Sequence, residues 1–108
     1  MRVPLPLPAP VARAIAKLGH DVALARRRRR LTQASLAERA GIGRKTLTRL
    51  EKGDPKVALE YLGRVLHVLG EVERLGQLLD TGADQAGLLM RDEDLPQRVR
   101  ERKSTGAW

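Results

Sequence analysis

The sequence predicts an all-α fold: a compact five-helix domain with an N-terminal arm before it and a C-terminal tail after it. Three observations carry that expectation. Apolar side chains recur at helical steps of three and four through most of residues 11–79, and no segment shows the sustained alternation between turn residues that a strand requires. The 108 residues include no Phe, one Tyr and one Trp, so the core must be Leu, Val, Ile and Ala, which suits closely packed helices. Gly41, Gly53 and Gly70 stand where successive periodic runs stop, as expected of a residue at ease in a left-handed backbone.

Residues 1–10 form the arm. Pro4, Pro6, Pro8 and Pro10 oppose a helix and favour extended chain, either loose or docked. The first helical run extends from Ala9 to Arg30, with Val11, Ile15, Leu18, Val22 and Ala25 at steps of 4, 3, 4 and 3. Gly19 interrupts it at a cost of about 1 kcal/mol relative to alanine, so one bent helix and two abutting helices both fit. Thr32 is placed to cap a second helix, whose Leu36, Ala37 and Ala40 are its apolar residues and which Gly41 ends. The third covers Arg44–Glu51, has Leu47 and Leu50 inward, and closes at Gly53-Asp54-Pro55. A fourth, about Val57–Leu69, puts Leu59, Leu62, Val65, Leu66 and Leu69 on one face. Beyond Gly70 a fifth, about Glu71–Leu79, carries Val72, Leu75, Leu78 and Leu79. Leu88, Leu89 and Met90 fit a short helix before the solvated run Asp92-Glu93-Asp94, and the polar end reads as disordered. The domain thus covers 11–80, and 81–108 is an extension for dimer or partner contact.

Lys and Arg number 21 against 13 Asp and Glu, a net charge of +8. The excess is uneven: residues 1–56 carry 14 basic and 4 acidic side chains, residues 57–108 carry 7 and 9. A basic half is expected to meet a polyanion, and the mildly acidic half something else. With no cysteine, disulfides, thiolate zinc sites and thiol catalysis are excluded, and a cytoplasmic location is expected. No apolar run approaches the roughly 18–20 residues of a membrane span, and no signal peptide is expected from the proline-rich start. His20 and His67 lack a partner at ligand spacing, and Ser35 and Ser104 lack a base-like neighbour. The chain is therefore expected to be no enzyme and to hold neither metal nor cofactor.

Two short helices joined by a tight glycine-containing turn, the second rich in basic and hydroxyl residues, have the pattern of a helix-turn-helix. In that motif the first helix crosses the DNA backbone and the second enters the major groove. Ala37, Ala40, Gly41 and Gly43 supply the room for a close crossing. Just upstream, Arg26–Arg30 encircle their helix at 100° per residue. Arg26 and Arg29 fall near the apolar stripe and point inward; Arg27, Arg28 and Arg30 are left to solvent or phosphate.

The stretch LTQASLAERAGIGRKTLTRLEKGDP, residues 31–55, resembles the xenobiotic-response-element (XRE) family of phage-repressor-like DNA-binding domains. The family pattern is met by Thr32-Gln33, Leu36-Ala37, Ala40-Gly41-Ile42, Thr46-Leu47-Thr48 and Leu50-Glu51-Lys52-Gly53. The resemblance implies a palindromic double-stranded DNA operator, with Gln33, Arg44, Lys45, Thr46, Thr48 and Arg49 at the DNA; Arg28, on the solvated face of the arginine run, is the candidate for an added phosphate contact. The resemblance also implies a structural ion pair between Arg26 and Glu51. The chain departs from the pattern twice: Gly43 replaces the usual Ser or Thr, and Arg30 stands where the first helix usually ends in glycine.

A single module makes few phosphate contacts, so a homodimer is expected, with residues 57–108 as its source. The overall layout resembles HipB-like antitoxins, which repress their own operon and bind a HipA-like kinase toxin. A stand-alone regulator, or an adaptor that has lost DNA binding, would share the fold. Val99 and Trp108 are the candidate partner anchors, since a large apolar side chain on a polar tether fits a partner's pocket; an incidental terminal residue is the competing reading.

Overall fold

The computed structural model of the protein describes residues 5–80 and 92–99. The chain divides into a unit ending at Gly76 and a second beginning at Gln77. The first unit contains α1 (Ala9–Arg28), α2 (Gln33–Ala40), α3 (Arg44–Glu51), α4 (Leu59–Leu69) and α5 (Val72–Gly76), and the described residues include no strand.

The arm is shorter than the prolines predict. Leu5–Pro8 has no regular secondary structure, but α1 already begins at Ala9 with Pro10 in its first turn. Proline is tolerated there because the first N–H groups of a helix have no intrahelical partner to lose. Gly19 does not break α1 either, and its role is close approach. A Cβ at Gly19 would collide with the Leu50 carbonyl and come within 2.9 Å of the Glu51 carbonyl oxygen. On the facing side, a Cβ at Gly53 would lie 2.7 Å from the Ala16 Cα. The backbone of α1 therefore rests directly on the end of α3.

Helices α1 to α4 end in one hydrogen-bonding pattern, which returns two otherwise orphaned carbonyls to the chain. Leu31 N–H donates to Arg26 O, Ile42 to Ala37, Asp54 to Arg49 and Glu71 to Leu66. The residue before each donor must be left-handed. Gly41, Gly53 and Gly70 meet this at φ 71°, 79° and 79°, and Arg30 meets it at φ 55°, where an L side chain costs about 1 kcal/mol. The helix thus ends where the family pattern has its glycine, with an arginine in the strained position. Thr32 starts α2 by accepting the Ser35 N–H at 3.0 Å, a cap whose loss costs about 1 kcal/mol.

The core is wholly aliphatic. Val22, Leu36, Ala37, Ala40, Leu47, Leu50, Val65 and Leu69 form one cluster, in which Leu36, Leu47 and Val65 are fully buried. Each such Leu or Val contributes about 1.5–3 kcal/mol of burial.

Three predicted faces are corrected. Leu59 is 68% exposed, because α4 starts at Leu59 rather than Val57 and a first-turn side chain leans back beyond the helix end. The fifth helix stops at Gly76, where glycine weakens the run, leaving Leu78 and Leu79 exposed. Arg29 is exposed rather than inward: α1 ends at Arg28, and Arg29 Nη1 turns back to the Ala25 carbonyl at 2.8 Å. In the second unit, Asp92–Asp94 form one 3-10 turn. The expected helix at Leu88–Met90 lies outside the described residues.

Candidate nucleic-acid interface

Helix α3 separates two chemistries by its own periodicity. Leu47 and Leu50 are buried on one side, while Arg44, Lys45 and Arg49 are exposed and Thr46 and Thr48 half-buried. Arg44, Lys45, Thr48 and Arg49 together line one open concavity. Gly43 starts the helix with extended backbone and no side-chain cap, so this end presents bare N–H groups beside Arg44 and Lys45, a setting favourable to anions.

Behind that face lies a polar network that joins α1, α2 and α3. Arg26 Nε donates to Glu51 Oε2 at 2.8 Å and Nη2 to Oε1 at 3.1 Å. Its Nη1 donates to the Leu31 carbonyl at 2.9 Å. The two side chains are 11% and 7% exposed, so this is a buried, forked pair in which each guanidinium nitrogen has a partner. Gln33 Nε2 adds a third hydrogen bond to Glu51, 2.9 Å to Oε1. Thr48 Oγ1 lies 3.0 Å from the Arg44 carbonyl and 3.4 Å from Gln33 Oε1; its one proton favours the nearer acceptor. Gln33 is thus drawn into the network behind α3, although it remains half-exposed.

The outer side of α3 holds a second arginine–carboxylate pair. Arg49 Nε donates to Asp54 Oδ2 at 2.7 Å, with the side chains 51% and 30% exposed. The other oxygen, Oδ1, accepts the Lys56 N–H at 2.9 Å. That backbone hydrogen bond, followed by the bond from Arg49, holds the Asp54 carboxyl below its ordinary 3.8. Sequence reasoning missed Asp54 as a partner of Arg49. The signal was present in Gly53, whose left-handed turn brings residues five apart together.

Arg28 is exposed in the last turn of α1. Val99 is 80% exposed in the second unit, and Trp108 lies outside the described residues. Among the described residues no group of His, Cys, Asp or Glu could hold a metal, and no helix is long and apolar enough to cross a membrane.

Two short helices meeting across a Gly41-Ile42-Gly43 turn, the second with a basic outer face, define a DNA-binding helix-turn-helix. A helix-turn-helix family model matches residues 22–75, half of the chain, and the chain belongs to that family in its XRE form, a family of DNA-binding regulators. No curated protein matches the chain.

Proposed function

We propose that the protein is a sequence-specific, homodimeric transcriptional repressor that reads a palindromic operator with the outer face of α3. One observation carries this reading: Arg44, Lys45, Thr48 and Arg49 line a single open surface on a helix whose other side is locked into the core. Arg44 and Lys45 reach base edges, Thr46 and Thr48 border them, and Arg28 and the half-exposed Gln33 serve the phosphates. The finer reading is an antitoxin that represses its own operon and binds a HipA-like kinase toxin. It is supported by the layout of the sequence and by the exposed Val99, with Trp108 as a second anchor.

Binding to a duplex from the protein's own promoter tests the core of this reading. Several phosphates neutralised per half-site give a slope of log affinity against log salt of about −4 to −8. A slope near zero rejects DNA binding and leaves the adaptor. A kinase encoded beside the gene that co-purifies with the chain supports the antitoxin; absence of a complex leaves a stand-alone regulator.

A further inference from the structure

We propose that Asp54 is a positioning residue for sequence readout: it holds the Arg49 guanidinium so that its two terminal nitrogens face a guanine. The inference rests on the DNA-binding reading above and deepens it.

Four exposed ion pairs occur among the described residues. Lys17–Asp21, Arg64–Glu60 and Arg74–Glu71 are neighbours one helical turn apart, an arrangement that any amphipathic helix supplies. Arg49–Asp54 differs in origin. It crosses the end of α3 and depends on the left-handed Gly53. Asp54 is attached to residue 49 twice, since its backbone N–H donates to the Arg49 carbonyl at 3.0 Å and its carboxylate accepts from the Arg49 side chain. The Lys56 N–H fixes the remaining carboxylate oxygen. The acceptor is therefore held by backbone rather than by another mobile side chain.

The atom that Asp54 engages matters. A guanidinium has two edges, and bidentate contact with guanine O6 and N7 needs two parallel N–H groups. Asp54 takes Nε, and Nη1 and Nη2 have no partner among the described residues. The terminal fork is left available on the concavity that Arg44, Lys45 and Thr48 also line. An arginine held this way has lost rotamer freedom before binding, and order established before contact favours a directional base contact over a diffuse phosphate contact. The carboxylate also repels phosphate, which disfavours the non-directional alternative.

Selection of binding sites from a pool of random 20-base-pair duplexes, by wild type, Arg49→Ala, Arg49→Lys and Asp54→Asn, tests the proposal. Asp54→Asn keeps an oxygen for the Lys56 N–H but presents an NH2 group to Arg49 Nε, and its melting curve reports whether it folds. The expected result is a guanine selected by wild type and lost in Asp54→Asn and Arg49→Ala at the same position. Discrimination there falls by about tenfold, while affinity for a non-specific duplex is kept or raised. Arg49→Lys keeps the charge without the fork, so it loses the same guanine with an unchanged salt slope, whether or not Asp54→Asn folds. If wild type selects a motif that Asp54→Asn reproduces, the positioning role is overturned and the repressor reading survives. Equal gains by Asp54→Asn on all sequences likewise overturn it, making Arg49 a phosphate contact. If wild type selects no motif, specific readout and the role of Asp54 fall together.

Discussion

Two arginine–carboxylate pairs flank α3, and their difference separates the roles of the helix's two sides. Arg26–Glu51 is forked, nearly dry and joined by Gln33; Arg49–Asp54 is single-pronged and half-exposed. A buried charge removed from its partner is stranded where water cannot reach it. An exposed charge can be handed to water or to a ligand at little cost. The same chemistry therefore fixes the angle of α3 on the inside and leaves a guanidinium ready for use on the outside.

The largest effect should come from breaking the inner pair. Glu51→Ala leaves Arg26 buried with only the Leu31 carbonyl, and about 3–5 kcal/mol of stability should be lost. Thermal denaturation checks this; an unchanged Tm would erase the contrast between the pairs. A smaller effect, on recognition instead of folding, is expected at the outer face. Arg44→Ala should leave Tm nearly unchanged and remove about 1–3 kcal/mol of base discrimination. Arg28→Ala should weaken all sequences alike and reduce the salt slope by about 1. Equal losses on specific and non-specific duplexes in both variants would refute the division of labour.

The smallest effect concerns the outer pair's titration. The Asp54 carboxyl is held below the ordinary carboxylate range by the Lys56 N–H first and Arg49 second. A lowered folded value means that ionised Asp54 favours the folded state above the ordinary carboxylate range. That contribution is lost as the pH falls through the lowered value. In Arg49→Ala, NMR titration of Asp54 should show a midpoint that rises yet stays below that of an unperturbed aspartate, because the Lys56 N–H remains. Full return to the ordinary value would show that the arginine, rather than the backbone N–H, controls this carboxyl.

Much of this was legible in the chain. The stripe Leu36, Ala37, Leu47, Leu50, Val65 and Leu69 marks the core because burial follows helical periodicity. Thr32 and the glycines at 41, 53 and 70 mark the helix ends because few residues satisfy those backbone demands. Periodicity misplaced Leu59, Leu78, Leu79 and Arg29 at or beyond a helix end, where the wheel no longer applies, and on α1 it also marked Val11 and Leu18, which are exposed. Asp54 escaped notice for a related reason: its meeting with Arg49 is made by a turn, and a helical projection does not extend through a turn. Gly19 looked like a defect because its reason lies some thirty residues away, in the end of α3.

That crossing has an evolutionary consequence. Because α1 meets the Leu50–Gly53 segment backbone to backbone, no side-chain repacking there can re-aim the recognition helix gradually. On the proposed reading, new operators would be reached by exchanging residues such as Arg44, Lys45 and Arg49, whose side chains are exposed and scarcely burden the fold. A rigid crossing of this kind makes binding preference modular. Diverging copies of the gene could acquire separate operators without first passing through unstable intermediates.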